Sequence, residues 1–261
     1  ILKYTGGSIV SATPTFLRMI LANNDKEILT SLKYVFVGAE KCSEEVFAIF
    51  HEKCLGGTIL EWYGITECSP IVTVNPLEKQ KKWSAGKFLP QVEYVIRSLD
   101  GGGDVKTGEQ GMIFVSGPSI FSGYLDTTLV SPFEEFSGKK WYKTGDLGYL
   151  DTDGFLFITG RLKRFVKIAG EMISLPFIEA ILLEKYGNPE LTTTAIEAKE
   201  EDGNVILVAF VTFDISLDEL NEYIHAHGAS NLVKISRIEK LDSIPVLGTG
   251  KTDYKQLKSM I

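Results

Sequence analysis

Gly-Arg-Leu-Lys-Arg-Phe-Val-Lys-Ile-Ala-Gly-Glu, residues 160–171, and Val-Leu-Gly-Thr-Gly-Lys, residues 246–251, decide how this chain is interpreted. The first run holds four cationic side chains between two glycines, and the second ends on a lysine in a glycine-bracketed loop. A mobile backbone that carries cations is suited to stabilising negative charge that develops on phosphorus. The two runs therefore predict that two parts of the molecule close over one nucleotide.

Composition limits the class of protein. A chain of 261 residues with 44% hydrophobic content can bury a substantial core in one or two domains. Its net charge of −7 argues against a nucleic-acid-binding protein, which needs a phosphate-neutralising surface. No apolar run approaches the roughly 20 residues of a membrane span, and no signal peptide is recognisable. Cys42, Cys54 and Cys68 lack metal-ligand spacing, so we expect reduced thiols in a cytoplasmic protein.

The first part of the chain alternates strands and helices. Thr13-Pro14 has the pattern of a helix start, and Phe16, Leu17, Ile20 and Leu21 form its predicted buried stripe. Buried strands are predicted at Leu32–Val37 and Thr58–Trp62, with a helix capped by Ser43 between them. This order predicts an α/β layer that extends to about residue 82.

Short alternating runs at Tyr94–Leu99, Met112–Ser116 and Phe155–Ile158 predict a β-rich subdomain at about 83–162. Beyond it, a helix begun by Pro176, a strand at Val205–Phe213 and a capping box at Ser216–Glu219 predict a small α+β domain. We therefore divide the chain into residues 1–162, which are α/β plus β-rich, and residues 163–261. The chain opens at Ile1 in mid-pattern, so we expect it to be a piece of a longer protein.

Two polar segments follow predicted strands and are candidate ligand contacts. Gly38-Ala39-Glu40 lies at a carboxyl end of the sheet, where open α/β folds bind ligands, although most such glycines belong to ordinary turns. Tyr63-Gly64-Ile65-Thr66-Glu67 offers a ring on which a purine can stack, a hydroxyl for a phosphate and a carboxylate for Mg²⁺. Its alternative role is a strand-end turn with a surface glutamate.

Three further candidates have equally simple alternatives. Asp146 is placed on a turn between strands, where a carboxylate can accept two ribose hydroxyls or form an ordinary Asx-turn. The cations Arg161, Lys163, Arg164 and Lys167 form either a solvated basic hairpin or, between Gly160 and Gly170, a hinge. Lys251 is either a lone surface lysine or a cation that offsets repulsion between a carboxylate and a phosphate.

Two apparent signals are given little weight. His225 and His227 are too isolated for a metal site and are expected to lie at a helix C-terminus. Cys68 has no histidine nearby in sequence, so we do not expect it to be a nucleophile.

Taken in order, these segments resemble the later core motifs of the adenylate-forming superfamily, which contains acyl-CoA synthetases, luciferases and peptide-synthetase adenylation domains. The motifs that carry the resemblance are Gly38–Glu40, Tyr63–Glu67, Gly108–Gly117 with Gly123-Tyr124, Tyr142–Asp146, Gly160–Ile173 and Pro245–Lys251. More specific matches point to one branch of this superfamily. The acyl-[acyl-carrier-protein] synthetase part of bacterial 2-acylglycerophosphoethanolamine acyltransferases is similar to this chain at segments such as Gly38-Ala39-Glu40-Lys41 and Leu247-Gly248-Thr249-Gly250-Lys251.

The resemblance implies activation of a fatty acid by ATP and Mg²⁺ through an acyl-adenylate. The acyl group would then pass to the phosphopantetheine thiol of acyl carrier protein, in support of lysophospholipid re-acylation. Gly38–Glu40, Tyr63 and Gly64 would border the adenine, Thr66 would contact a phosphate, and Glu67 would bind the metal. The resemblance further implies a ribose contact by Asp146 and Arg161, a hinge at Lys163, and an adenylation lysine at Lys251.

One departure from the superfamily pattern concerns its Ser/Thr/Gly-rich phosphate loop. Thr5-Gly6-Gly7-Ser8 is too short for that loop and lacks the lysine that should follow. We therefore expect this chain alone to adenylate poorly or not at all. The parent protein is expected in the cytoplasm, associated with the inner membrane. Two alternatives remain open: a fatty acyl-CoA ligase, and a non-catalytic module that binds nucleotide or carrier protein.

Overall fold

The computed structural model describes residues 4, 6–40, 42–101, 103–126, 128, 130–188, 191–201, 203–248 and 250–261. The chain forms two compact units, Ile1–Thr159 and Gly160–Ile261. The sequence-based boundary was placed three residues later, before Lys163. Among the described residues, no helix is both long and apolar enough to cross a bilayer.

The first unit begins with a five-stranded sheet in the order β1-β2-β3-β4-β5. Its strands are β1 (Ile9–Ala12), β2 (Tyr34–Val37), β3 (Thr58–Gly64), β4 (Ile71–Val74) and β5 (Lys87–Phe88). The first three strands are parallel, and β4 and β5 are added antiparallel. The predicted α/β layer is confirmed, because helices connect the parallel strands.

The helices of this layer follow the sequence prediction at two of their starts, which are capped by Thr13 and Ser43. They are α1 (Pro14–Ala22), α2 (Lys26–Leu29) and α3 (Glu44–Lys53). The Thr13 hydroxyl accepts a hydrogen bond from the Phe16 amide at 3.1 Å, and Ser43 caps α3 in the same way. Leu17 and Leu21 are fully buried. Phe16 is 60% exposed, so its predicted place in the buried stripe is wrong; the α1 face that packs on α3 and the sheet lies to one side of it.

A second sheet in the first unit has the strand order β10-β9-β7-β6, with β8 paired to β9. Its strands are β6 (Glu93–Arg97), β7 (Gly111–Ser116), β8 (Phe133–Phe136), β9 (Lys139–Leu150) and β10 (Leu156–Arg161). Strand β7 pairs antiparallel with β6 and β9, and β8 pairs antiparallel with β9. The predicted β-rich subdomain is therefore confirmed, and its described strand pairs are antiparallel.

The second unit is an α+β domain, as predicted. It contains β11 (Phe165–Ile168), β12 (Glu171–Ser174), β13 (Thr194–Glu201), β14 (Asn204–Val211), β15 (Ile235–Lys240), α4 (Leu175–Tyr186), α5 (Leu217–Ala226) and α6 (Tyr254–Lys258). Strands β11 and β12 form a hairpin, and β14 lies between β13 and β15. Ser216 caps α5 through the Glu219 amide. The core is mostly aliphatic, but the α4 residue Glu179 is buried within it.

Candidate functional site

The two predicted ligand-contacting segments lie at the same edge of the first sheet. Gly38–Glu40 follows β2, and Tyr63–Glu67 covers the end of β3 and the turn after it. Because β2 and β3 are adjacent and parallel, with Val37 opposite Glu61, their carboxyl ends meet there. That edge is where ligands bind in open α/β sheets.

Gly38 is required by a close contact that the sequence did not reveal. A Cβ at this position would lie 2.4 Å from Cε2 of the Trp62 indole, so any side chain would collide with the ring. The next residue, Ala39, has φ of 71°, a left-handed conformation that is uncommon outside glycine. Glu40 then accepts a hydrogen bond from the Thr15 hydroxyl at 3.1 Å. Lys41, the last residue of this motif, lies outside the described residues.

Tyr63 and Asp146 form a buried pair that joins the two sheets of the first unit. The Tyr63 hydroxyl donates to Asp146 Oδ2 at 2.7 Å, and the two residues are 9% and 2% exposed. Burial, reinforced by the charge of Asp146, holds the pKa of Tyr63 well above its usual value, so the phenol stays a donor. Purine stacking on the Tyr63 ring remains a prediction that this packing does not support, because the ring lies in the core.

We predicted that Asp146 lies on a turn between strands. This prediction is wrong, because Asp146 lies inside the long strand β9. Opposite it, Met112 pairs with Leu147 and Phe114 pairs with Lys143, so Ile113 faces the three residues 144–146. Gly145 has φ of 76°, and the Thr144 hydroxyl donates to the Ile113 carbonyl while accepting from the Asp146 amide. This β-bulge turns the Asp146 carboxylate towards Tyr63. In the sequence, a glycine that forms a bulge within a strand cannot be distinguished from a glycine that forms a turn between two strands.

Glu67 lies on a single 3₁₀ turn, Thr66–Cys68, directly after β3. A Cβ on Gly64 would lie 1.9 Å from the Pro70 carbonyl oxygen, so glycine is needed for the chain to double back. Glu67 Oε1 accepts from the Tyr124 hydroxyl at 2.7 Å, a partner that we did not predict. Thr66 is exposed next to this carboxylate.

The Glu67 carboxylate suits Mg²⁺, which binds proteins through one or two carboxylates and takes its other ligands from phosphates and water. Within the described residues, no group of three or more His, Cys, Asp or Glu side chains could hold a metal ion by itself. The residues therefore fit a metal that arrives with a polyphosphate better than a resident metal centre.

In the second unit, the cations of the 160–171 run divide into two groups. Lys163, in the 3₁₀ turn Leu162–Arg164, and Lys167, on β11, are exposed, as is Arg161 at the end of β10. Arg164 is different, because its side chain is only 13% exposed and ion-pairs with Glu179 and Glu197. The alternative of a fully solvated basic hairpin is wrong for Arg164.

Lys251 is exposed at the end of a short, hydrogen-bonded loop. Val246 pairs with Thr252 in an antiparallel bridge, which closes the base of the loop. Within the loop, the Leu247 amide donates to the Lys251 carbonyl at 2.7 Å, and the Gly250 amide donates to the Leu247 carbonyl at 2.8 Å. Thr249 lies outside the described residues. The loop therefore has a fixed base and a solvent-facing lysine.

In the part of the chain that the structure describes, the cysteines and histidines do not form a further site. Cys42, Cys54 and Cys68 are free and buried, and burial raises the pKa of the Cys68 thiol to about 12, which leaves it protonated and a poor nucleophile. His225 and His227 lie at the C-terminal end of α5, where a ring nitrogen of each contacts a backbone carbonyl.

We expect Tyr63→Phe to lower the free energy of unfolding of the first unit by about 1–3 kcal/mol, because it removes a hydroxyl that donates to the buried Asp146 carboxylate. Tyr124→Phe is the matched control, because it also removes a tyrosine hydroxyl bound to a carboxylate, but on the exposed side chain of Tyr124. Urea titration monitored by tryptophan fluorescence measures both. Equal losses in the two variants would contradict the structural importance of the buried pair.

The sequence of this chain is similar to those of known enzymes. Residues 2–125 match the family model described as "AMP-binding enzyme". A probable 4-coumarate–CoA ligase 2 from Dictyostelium discoideum is 32% identical over 242 residues, which cover 90% of this chain and 43% of that protein.

Two solved structures resemble the fold. Bacillus subtilis O-succinylbenzoate coenzyme A synthetase (MenE), in complex with ATP and magnesium ion, matches with a TM-score of 0.78 and 27% identity, covering 97% of this chain and 52% of that one. ATP-bound MatB from Rhodopseudomonas palustris matches with a TM-score of 0.81 and 22% identity, covering 97% and 51%. The chain thus spans about half the length of the proteins it matches.

Proposed function

This chain is related to the AMP-binding enzymes and has their adenylate-forming fold, and from this premise we propose that it is part of a longer ATP-dependent acid–thiol ligase. A fatty acid carboxylate attacks the α-phosphate of ATP, which forms acyl-adenylate and releases pyrophosphate. A phosphopantetheine thiol then attacks the acyl carbon, loses its proton, and releases AMP.

The observation that carries this proposal is the meeting of four polar elements in the first unit. Gly38–Glu40 follows β2, and Tyr63-Gly64 ends the adjacent parallel strand β3, so both segments would border the adenine at this edge. Thr66 would contact a phosphate, and Glu67 would hold Mg²⁺, which supplies charge neutralisation at the polyphosphate when bound. Asp146 lies 2.7 Å from the Tyr63 hydroxyl and would accept from the ribose.

The residues of the second unit have complementary roles in the proposal. Arg161 would assist Asp146 at the ribose, and Lys163 would be the hinge about which the second unit turns between the two half-reactions. Lys251 would enter the site only for adenylation, where its ammonium group offsets the repulsion between the attacking carboxylate and the phosphate. A lid that moves between steps can change the chemistry as well as exclude water. The exposed position of Lys251 on its loop is compatible with this role.

Two thiol acceptors are candidates. The residues of the sequence motifs favour acyl carrier protein and hence lysophospholipid re-acylation. Two of the similar proteins are named as a CoA ligase and a coenzyme A synthetase, which favours coenzyme A. Both acceptors present the same phosphopantetheine thiol, so the adenylation residues would serve either.

The discriminating experiment offers the longer protein a fatty acid, ATP and Mg²⁺ with either holo acyl carrier protein or coenzyme A. We expect faster thioester formation on the carrier protein. The reverse preference would assign a fatty acyl-CoA ligase. Absence of both thioester formation and ATP–pyrophosphate exchange would contradict an enzymatic role and favour a non-catalytic nucleotide- or carrier-protein-binding module.

A further inference from the structure

Arg164 lies at the centre of a buried charged network in the second unit. Its Nη1 donates to Glu197 Oε1 at 2.5 Å, and its Nη2 donates to Glu179 Oε1 at 2.7 Å and to the Ile196 carbonyl at 2.8 Å. The side chains of the two glutamates are 10% exposed or less. The guanidinium thereby links the 3₁₀ turn Leu162–Arg164 to helix α4 and strand β13.

Tyr254, the first residue of α6, completes this network. The guanidinium carbon of Arg164 lies 3.7 Å from the centre of the Tyr254 ring, which is a cation–π contact. The Tyr254 hydroxyl donates to the Glu179 carboxylate, with its shorter contact at 3.0 Å to Oε2. We refer to Arg164, Glu179, Glu197 and Tyr254 as the Arg164 network.

Tyr254 is connected to the Lys251 loop through two intervening residues. Thr252 pairs with Val246 across the base of the loop, and the Asp253 amide donates to the Pro245 carbonyl at 2.8 Å. Asp253 also caps α6 by accepting from the Gln256 amide. Because each residue from 252 to 254 is held by a named partner, little freedom remains between the ring of Tyr254 and the base of the loop.

Stability alone does not account for burying these charges. Replacing a buried ion-pair cluster by well-packed apolar side chains is often neutral or stabilising. Directional hydrogen bonds and a stacked guanidinium do, however, impose one fixed geometry. The planar fork of arginine sets the positions of both carboxylates and of the ring beneath it. The network therefore orients the chain on both sides of it, at residues 162–164 and at residues 252–254.

We propose that the Arg164 network positions the Lys251 loop, with Tyr254 as the positioning residue. The loop base then keeps one orientation relative to the turn that contains Lys163, so that the lysine moves together with the second unit. The catalytic importance of this arrangement rests on the proposed role of Lys251, whereas the positioning itself does not.

Amide hydrogen exchange on this 261-residue chain tests the positioning directly. Tyr254→Phe keeps the ring over Arg164 and removes only the hydroxyl that binds Glu179. We expect exchange at the Leu247, Gly250 and Asp253 amides to become about tenfold faster, because a hydrogen bond to a charged group is lost and local opening becomes easier. The matched control is Tyr186→Phe, which removes a tyrosine hydroxyl bound to Glu219 in the same unit and should leave these amides unchanged.

Two results would overturn the proposal. One is unchanged exchange at the three loop amides in Tyr254→Phe. The other is a general loss of protection that includes the central strand β14, because Tyr254 would then stabilise the whole unit and not the loop. Tyr254→Ala, which also removes the ring, should accelerate the same amides more strongly than Tyr254→Phe, and an equal or smaller effect would count against the proposal.

The longer protein separates this proposal from the proposed function. Tyr254→Phe should slow ATP–pyrophosphate exchange while leaving thioester formation from supplied acyl-adenylate unchanged, since Lys251 would serve only the first step. If Lys251→Ala leaves exchange unaltered, the role of Lys251 fails, but the hydrogen-exchange result still decides whether Tyr254 positions the loop. If Lys251→Ala abolishes exchange and Tyr254→Phe slows both half-reactions equally, the positioning role is wrong.

Discussion

Lys251→Ala is expected to lower the rate of ATP–pyrophosphate exchange by the longer protein roughly 10²–10³-fold, the loss typical of removing one group that stabilises transition-state charge. The physical reason is that a carboxylate and a phosphate repel each other as they approach, and a single ammonium group offsets that repulsion. Lys251 is exposed on a loop whose base is fixed by the Val246–Thr252 bridge, so its removal should change charge without changing the fold.

Lys255→Ala is the matched control for this substitution, because Lys255 is an exposed lysine four residues later on α6. It should leave exchange unchanged. Thioester formation from supplied acyl-adenylate should survive in both variants, which separates a defect in adenylation from a general loss of activity. Equal exchange rates in Lys251→Ala and the unmodified protein would contradict the assignment and direct attention to another cation of the 160–171 run.

Local signals made much of the fold predictable. The hydroxyls of Thr13, Ser43 and Ser216 each accept from an amide three residues later, so a single short motif in the sequence contains both partners of each cap. The parallel strands β2 and β3 could likewise be predicted from apolar runs bounded by glycine, because burial on both faces leaves a continuous hydrophobic pattern. Strand β1 was not predicted.

The errors and omissions at the candidate site occurred where a residue's partner is distant in the chain. Asp146 was placed on a turn because Gly145 precedes it, and only the pairing of β9 with β7 shows that the glycine forms a bulge. Its contact with Tyr63 spans 83 residues, and the contact of Glu67 with Tyr124 spans 57. Contacts over such separations along the chain leave no periodic signal in the sequence. Both residues of each pair nevertheless belong to motifs that the sequence analysis had identified.

Arg164 shows the same limit for charge. Its neighbours Lys163 and Lys167 are exposed, and a run of cations is most often a solvated face. The counter-ions are Glu179, 15 residues later inside α4, and Glu197, 33 residues later on β13. A glutamate within the apolar stripe of a helix was the available sequence signal, because an acid in that position needs a buried partner.

Arg164→Met is expected to lower the free energy of unfolding of the second unit by about 3–5 kcal/mol, because it leaves two buried carboxylates without their cation. Lys167→Met, at an exposed position on β11, should change it by no more than about 0.5 kcal/mol. All three tryptophans, Trp62, Trp83 and Trp141, belong to the first unit, so fluorescence does not report on this transition. The unfolding of the second unit is measured instead by hydrogen exchange of the β14 amides at increasing urea concentration.

The loss caused by Arg164→Met should depend on pH in one direction. Burial raises the pKa of Glu179 above its ordinary value of 4.5, and the charge of Arg164 opposes that rise, so removing the arginine raises the pKa of Glu179 further. The folded variant then keeps a proton that the unfolded chain releases above about pH 4.5. Its stability relative to the unmodified chain should therefore fall as pH rises through this window and recover in acid. Adding Glu179→Gln to Arg164→Met should remove most of that pH dependence, because the carboxyl group whose pKa burial raises is then absent. A deficit that is the same at pH 5 and pH 8 would show that Arg164 stabilises the unit by packing its aliphatic stem and not by its charge.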